Sequence, residues 1–449
     1  MESSLSIHWD KRYKWNCFTY IIIYGLLGAV TGITNNAMLS YYDIVAPSLV
    51  TGLNIYGSLS SILLAVVILS IHRWGYKKIL LIAPPVTVIS LFVTIITHNQ
   101  IIIIITYIIS SVSIGIYDMM YPLMFTVYVP REIRTKLFTT VMSTNLITQA
   151  ILTFLGGKMV VWFFSKIQHL TYITASRLSG NQSSMSGLML TNYTQAYRLV
   201  ILVAILFNVI AFFVAFFLKE KPEDYHDTNV ETAKSKLNSF KNMKQILCNK
   251  TIIMWIIYLS LIQFGARLVT PYFPIYLNNY LHIDRGVTAT INTLQTASMF
   301  LGYMVAPFLE KKLGAIVSMA SSTLLCVPLM ILMANGRLFG TGVTLAVVIG
   351  IILFLRSGIA NAAMPIQQEL QMIFVNKDLR PAFSSLLTLI SAGVGIINGL
   401  FTRFYLLRTL SGYAYGYYIA AVLYIIGSVL LLIFFKKKYN RSMSDNKES

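Results

Sequence analysis

Twelve apolar stretches, each long enough to cross a lipid bilayer as a helix, run through this sequence and leave few folds open to it. A helix rises about 1.5 Å per residue, so about 20 apolar residues cross a hydrocarbon core about 30 Å thick. Hydrophobic residues make up 56% of the chain and charged residues only 11%, which is too apolar for a soluble protein. The sequence predicts an all-α membrane protein with transmembrane helices at residues 18–40, 47–71, 79–97, 101–128, 137–164, 199–218, 252–277, 287–309, 315–334, 341–374, 384–405 and 413–435.

Positive charge is divided unevenly between the segments that connect these stretches. The formal net charge is +19, and 25 of the 35 Lys and Arg residues fall on one side of the predicted membrane while eight fall on the other. Cytoplasmic loops are enriched in Lys and Arg, so both termini are predicted to be cytoplasmic and the chain to lie in the cell membrane. The same asymmetry explains the basic charge without a nucleic-acid partner.

Cysteine and histidine show no spacing that is typical of a metal site. Cys17, Cys248 and Cys326 lie in three different segments, and the six histidines are scattered. We therefore expect no metal and no other cofactor. No pairing of a nucleophile with a base is recognisable either, so the sequence argues against an enzyme.

A short motif occurs twice, in two distant apolar stretches. Residues 115–122 read GIYDMMYP and residues 358–365 read GIANAAMP, so glycine, isoleucine and proline recur at the same spacing. A basic turn follows each copy and ends at Arg134 in the first and at Arg380 in the second. Internal repeats are typical of transporters whose two halves face each other across a shared site.

The repeat predicts a chain of two related halves. Residues 1–218 form the first bundle of six helices, and residues 251–449 form the second bundle and a cytoplasmic tail. Between them, residues 219–250 are rich in lysine and acidic residues, which predicts a cytoplasmic linker.

Four charged residues inside apolar stretches are candidates for a functional role: Asp118, Arg267, Arg356 and Glu369. A charge at the centre of a membrane helix costs at least about 2.5 to 3.5 kcal/mol, so each needs a reason to be there. Asp118 lies half-way along its stretch and is the predicted proton-coupling residue, because a low-dielectric cavity favours the protonated carboxyl group. Glu369 is the second coupling candidate, and its alternative role is a contact at the inner interface or with a basic loop.

The two arginines are predicted substrate contacts, since a guanidinium group suits a carboxylate or a phosphate. The alternative is that one of them pairs with Asp118 only to neutralise it. Two acids accompany the two arginines, so the sequence permits an anionic substrate without demanding one. The uncharged residues expected at the same site, for which helix-packing hydrogen bonds are the alternative role, are Asn35, Tyr117, Tyr121, Gln263 and Asn361.

Two features concern the predicted outer side of the membrane. Pro271 and Pro274 predict a kink or partial unwinding near the outer end of the seventh helix. Residues 165–198 are rich in Ser, Thr, Asn and Gln, which predicts a solvent-exposed loop.

This pattern of two six-helix halves, a charged linker and basic turns resembles the major facilitator superfamily over nearly the whole chain. In that family the turn after helix two reads Gly-x-x-x-Asp-Arg-x-Gly-Arg-Arg. Arg73, Gly75 and Lys77 fit this pattern, whereas Ile68 stands for the first glycine and His72 for the aspartate. The related turn after helix eight keeps a basic residue and a glycine.

The resemblance implies that helices one, four, seven and ten line a central cavity, which places Asn35, Asp118, Arg267 and Arg356 there. It also implies alternating access by rocking of the two halves, with a cytoplasmic gate at the basic turns. The gating residues expected on this basis are Arg73, Gly75, Lys77, Arg134, Lys312, Gly314 and Arg380.

The sequence thus predicts a secondary active transporter for a small polar organic solute, coupled to a proton or another cation and working as a monomer in the bilayer. Proton-coupled efflux of amphipathic drugs is the alternative. Residues 141–157 offer only Gly156 and Gly157 where the fifth helix of drug–proton antiporters carries a Gly- and Pro-containing motif, which favours solute transport. A lipid flippase and a sensor that transports nothing are more distant alternatives.

Overall fold

The structure is a computed structural model that describes residues 10–68, 74–129, 131–182, 185–221, 247, 249–375 and 380–440. Helices make up nearly all of these residues, which include no strand. Twelve helices in this part of the chain have 16 residues or more. They are α1 Lys11–Ile33, α2 Leu53–Ile68, α3 Tyr76–Ile96, α4 Gln100–Tyr128, α5 Arg131–Ile167, α6 Gly187–Ala215, α7 Lys250–Val269, α8 Arg285–Leu313, α9 Ala315–Ala334, α10 Gly342–Ile373, α11 Arg380–Phe404 and α12 Ser411–Tyr439.

Ten regions of the described chain have the length and the apolar composition of a membrane-spanning helix. The long helices outside this set are α2, which has 16 residues, and α8. Polar side chains run along much of α8, among them Thr290, Asn292 and Gln295. The prediction of an all-α, multi-pass membrane protein is confirmed.

Residues 165–198 do not form the loop that their polar composition predicted. A short helix covers Tyr172–Ser179, and α6 begins at Gly187. The Ser179 hydroxyl is buried, where it donates to the Ser176 carbonyl oxygen at 2.6 Å and accepts from the Arg285 backbone N–H at 3.0 Å. Hydroxyl groups of this kind satisfy backbone groups at helix ends, so a polar composition does not exclude a helix here.

The helices group into two compact units. The first unit consists of Met1–Val50, Leu59–Tyr172 and Ser186–Asn229. The second consists of Thr51–Ser58, Ile173–Met185 and Val230–Ser449. Two short segments that precede the predicted linker therefore belong to the second unit, and most of the linker itself lies outside the described residues.

Glycine allows α1 and α5 to approach closely in the first unit. A Cβ atom at Gly28 would lie 2.4 Å from the carbonyl oxygen of Asn145, and one at Gly32 would lie 2.4 Å from that of Gln149. The Asn145 amide also donates to the Tyr24 carbonyl oxygen at 2.8 Å. Small residues spaced four apart leave a flat helix surface, which brings the two backbones into contact.

The glycine that begins each copy of the repeated motif faces the second helix of its set of six. A Cβ atom at Gly115 on α4 would lie 2.9 Å from a methyl carbon of Leu64 on α2. A Cβ atom at Gly358 on α10 would lie 3.1 Å from the carbonyl oxygen of Ser298 on α8. The fourth helix of the second set therefore packs closely on the second helix of that set through the backbone at Gly358, whereas Gly115 contacts only the end of a leucine side chain.

The start of α3 is capped by a side chain from the chain that follows α6. Gly75 precedes α3 with φ 80° and ψ 166°, a conformation essentially restricted to glycine. The Glu220 carboxylate accepts from the backbone N–H groups of Tyr76 at 2.6 Å and Lys77 at 3.1 Å. A carboxylate at this position satisfies two of the four free N–H groups of the helix and interacts well with its dipole.

The second unit repeats this arrangement at α9. Gly314 precedes the helix with φ 81° and ψ 162°. Asn440, which follows α12, accepts from the Val317 N–H at 2.8 Å and donates to the Leu313 carbonyl oxygen at 3.2 Å. The third helix of each set is thus tied to the chain directly after the sixth.

We expect Glu220→Ala to lower the free energy of unfolding by about 0.5 to 2 kcal/mol, the usual cost of losing a helix cap. Thermal unfolding of the purified protein in detergent measures the change. Glu220→Gln keeps an acceptor oxygen and should retain most of the stability. Equal melting temperatures for the alanine variant and the unmodified protein would show that water replaces the cap.

Candidate functional site

A cavity of about 430 Å³ opens among the helices of the second unit. All six of its long helices, α7 to α12, contribute to the lining. Arginine, amide and hydroxyl groups form one part of the lining, and apolar residues such as Met299 and Met364 form another. None of the lining residues, all of which belong to the described chain, is acidic.

Four of the predicted substrate-binding residues meet on this cavity: Gln263, Arg267, Arg356 and Asn361. The first two come from α7 and the other two from α10. Each was predicted because it is a polar residue inside an otherwise apolar stretch, and the structure places all four on the wall of one cavity.

The Arg356 side chain is almost fully buried at this cavity, with 3% of its surface exposed. Its guanidinium carbon lies 5.4 Å from the centre of the Phe273 ring, and the Tyr424 hydroxyl is within hydrogen-bonding reach. Its Nε atom has no hydrogen-bond partner in the described part of the protein. The contacts around this cation are therefore aromatic and uncharged.

Arg267 lies in the last turn of α7, where it is half-buried. Its Nη2 atom donates to the Ser391 hydroxyl at 3.1 Å. Directly after this turn the chain continues as a 3₁₀ turn over Thr270–Tyr272 and later as a π-helix over Tyr276–Tyr280. The change of helix type confirms the disturbance that Pro271 and Pro274 predicted.

The segment 51–58 packs against α7 and α11 inside the second unit. The Asn54 amide donates to the Arg267 carbonyl oxygen at 3.0 Å and to Oδ1 of Asn398 at 2.8 Å. A Cβ atom at Gly399 would lie 2.5 Å from the backbone nitrogen of Ile55, so only glycine allows this approach. The backbone that carries Arg267 is thereby held in place from outside the cavity.

Asn361 and Gln263 differ in how fully they are bonded. The Asn361 amide donates to the Ser357 carbonyl oxygen at 2.8 Å, and its Oδ1 atom accepts from the Tyr303 hydroxyl at 3.3 Å. Oε1 of Gln263 is buried and has no donor within the described residues. The hydrogen bonds of Asn361 are therefore explained by helix packing, whereas Gln263 has an acceptor oxygen that no described residue bonds.

Asp118 belongs to the first unit, on α4. Its Oδ1 atom accepts from the Tyr24 hydroxyl at 2.6 Å, and its side chain is exposed in the middle of the helix. No Lys or Arg forms an ion pair with it in the described chain. Arg267 and Arg356 belong to the second unit, so pairing with one of them solely for neutralisation, the alternative role for Asp118, stays a prediction.

Tyr24 was not among the predicted site residues. Its signal in the sequence is its position on α1, on the same helical face as Asn35 about three turns later. Asn35 itself is exposed in a π-helical turn, Thr34–Met38, a feature that is frequent at functional sites. Tyr117 is buried and donates to the Leu80 carbonyl oxygen at 2.5 Å, a packing role. The Tyr121 side chain lies outside the described residues.

Glu369, the second coupling candidate, lies on α10 and is exposed. It does not line the cavity. Gln295 on α8, Gln367 on α10 and Ser391 on α11 do line it, although no role was predicted for them. Uncharged polar residues of this kind are common in helix packing, so their types alone gave no signal.

The predicted gating residues are described only in part. Gly75 and Gly314 take the special backbone conformation that begins α3 and α9. The Lys77 ammonium group donates to the Phe216 carbonyl oxygen at 3.0 Å, and Lys312 is exposed in the last turn of α8. Arg73 lies outside the described residues, as do the side chains of Arg134 and Arg380. Gating by these residues stays a prediction.

Comparison with known proteins settles the family. The family model described as Major Facilitator Superfamily matches residues 17–400. The chain belongs to the major facilitator superfamily. As a member it is a membrane transporter and not an enzyme.

Solved structures share its fold at low sequence identity. The nucleoside transporter NupG has a TM-score of 0.65 and 15% identity, over 94% of this chain and 99% of that one. A D-xylose–proton symporter has a TM-score of 0.64 and 13% identity, over 95% of this chain and 98% of that one. A bacterial homologue of the human lysosomal transporter Spinster has a TM-score of 0.66 and 14% identity, over 94% of this chain and 97% of that one. No curated protein sequence matches the chain.

Proposed function

We propose that this member of the superfamily is a proton-coupled secondary transporter of a small polar organic solute. The observation that carries the proposal is Asp118, a carboxylate that is exposed half-way along a membrane helix and that, among the described residues, bonds only the neutral Tyr24 hydroxyl. A carboxyl group at this costly position, without a cationic partner in the part of the chain that the structure describes, is suited to bind and release a proton.

The polar cavity of the second unit supports a solute with several hydrogen-bonding groups. Gln263, Gln295 and Gln367 present amides to it, and Arg267 and Arg356 present guanidinium groups. A site built to bond polar groups discriminates strongly against molecules that leave those groups unpaired. Two arginines without an acid disfavour the cationic amphipathic compounds of the efflux alternative.

The coupling chemistry has a precedent in the fold, because one similar structure is that of a D-xylose–proton symporter. For this chain, the charge asymmetry of the sequence supports a cell-membrane location with both termini in the cytoplasm. We include alternating access by a monomer in the proposal.

Transport by the purified protein in proteoliposomes tests the proposal. A pH gradient is imposed, and a panel of organic acids, phosphorylated sugars, neutral sugars, peptides and cationic dyes is offered. We expect one class of polar solute to accumulate, and the accumulation to vanish in protein-free liposomes and with a protonophore. Movement of cationic dyes and of no other class in the panel would favour drug efflux. Solute movement that does not depend on the pH gradient would refute proton coupling.

A further inference from the structure

The residues that line the cavity in the second unit, all of them in the described chain, include two arginines and no acidic residue. Arg267 and Arg356 both line it, and neither forms an ion pair in the part of the chain that the structure describes. The two acids that the sequence offered as counter-charges are not among the lining residues. Asp118 is a residue of the first unit and accepts from the Tyr24 hydroxyl, and Glu369 is exposed on α10. The expectation of a nominally neutral set of two acids and two arginines stays a prediction for the cavity that the two halves share, while the lining described here carries only the two positive charges.

Arg356 makes this imbalance costly. Removing a guanidinium group from water is unfavourable unless a counter-charge or good acceptors replace the water. The cation–π contact with the Phe273 ring offsets only a small part of this cost, and a tyrosine hydroxyl supplies no charge. The Arg356 Nε atom is a buried donor that has no acceptor among the residues the structure describes. An anion in the cavity would supply both the charge and the acceptor.

Gln263 adds a second, independent requirement. Within the described residues, its buried Oε1 atom has no donor at the cavity. A buried carbonyl group without a donor is destabilising, and a ligand hydroxyl group would supply the missing hydrogen bond. An ammonium group would also donate, but the cavity already carries two positive charges that would repel it. A hydroxyl group therefore fits better.

We propose that the substrate is a hydroxylated organic oxyanion, either a carboxylate or a phosphate ester. Arg356 binds the oxyanion at the buried part of the cavity, Arg267 provides the second guanidinium group, and Gln263 accepts a hydrogen bond from a substrate hydroxyl. The inference rests on the proposed transport function but concerns binding, which is measured without transport.

Binding to the purified protein in detergent is measured by calorimetry and by the shift in melting temperature. Lactate against lactamide isolates the negative charge, and lactate against propionate isolates the hydroxyl group. Gluconate and glucose 6-phosphate, each against glucose, separate a carboxylate from a phosphate ester on a larger body. We expect one hydroxylated anion to bind at least about tenfold more tightly than its uncharged partner and its deoxy partner.

Substitutions connect the preference to named side chains. Arg356→Gln and Arg267→Gln should each weaken binding of the preferred anion by about 10-fold to 100-fold, and Arg356→Lys should lose less because it keeps the charge. Gln263→Leu should remove the preference for the hydroxylated acid and leave the preference for charge. Arg337→Gln is the matched control, because Arg337 is an exposed arginine of the same unit that bonds the Tyr280 carbonyl oxygen and does not line the cavity.

The outcomes separate this inference from the proposed function. Anion binding that depends on Arg356 supports the inference even if no solute moves in liposomes. The absence of movement would refute only the proposed transport function. If a neutral solute moves with the gradient and Arg356→Gln does not change this movement, the inference is overturned and the proposed transport function stands. Equal stabilisation by chloride or sulfate alone would show an inorganic anion site and would also overturn it. If Arg356→Gln does not fold, the half-buried Arg267→Gln decides.

Discussion

Asp118→Asn is expected to abolish accumulation driven by a pH gradient and to leave exchange of solute across the membrane intact. The amide keeps the size of the side chain and an oxygen that accepts from the Tyr24 hydroxyl, but it cannot take up a proton. A gradient of one pH unit is worth about 1.4 kcal/mol per proton and supports about tenfold accumulation. The variant should therefore equilibrate the solute and go no further.

The measurement is accumulation and counterflow of the same solute in proteoliposomes, with the two proteins incorporated at equal amounts. Counterflow tests whether the loaded carrier still alternates, so a folding defect would lower both readings. Asp284→Asn is the control, since Asp284 is a carboxylate at the start of α8 that accepts from the Ser176 hydroxyl at 3.1 Å and does not line the cavity described above. Accumulation that survives Asp118→Asn would make Asp118 structural and Glu369→Gln the next variant.

A residue of this site can be predicted from the sequence only if its side chain is energetically unfavourable inside a membrane. Arg267, Arg356 and Asp118 are recognisable because a charge in an apolar stretch demands a reason, and all three face a cavity or an exposed helix surface in the structure. Gln295 and Ser391 carry no such cost, so their place on the cavity depends on how α8 and α11 pack, which no local pattern encodes.

Contacts between distant parts of the chain are the other limit on prediction. Glu220 lies in a charged stretch that indicates a linker, yet its carboxylate caps α3 more than 140 residues earlier in the chain. The Asn54 amide likewise bonds the backbone of Arg267 across 213 residues. The helices themselves are predictable because length and apolar composition decide them, whereas these contacts depend on the final arrangement of helices.

The second large effect is expected from Gly302→Ala, a change of one methyl group between α8 and α10. A Cβ atom at Gly302 would lie 2.1 Å from the carbonyl oxygen of Gly358, the glycine that begins the second copy of the repeated motif. A backbone oxygen inside a helix cannot move aside as a flexible side chain does, so the two helices must separate. Overpacking of this kind costs about 1 to 3 kcal/mol or more.

Gly350→Ala is the matched control on the same pair of helices. A Cβ atom there would lie 3.5 Å from a side-chain carbon of Ile291, an ordinary van der Waals contact. We expect Gly302→Ala to lower the melting temperature and the affinity for the preferred solute together, because Gln295 on α8 and Arg356 on α10 line one cavity and separate with their helices. Gly350→Ala should change neither. Equal behaviour of the two variants would show that the α8–α10 contact tolerates a methyl group, and the repeated glycine would then need another explanation.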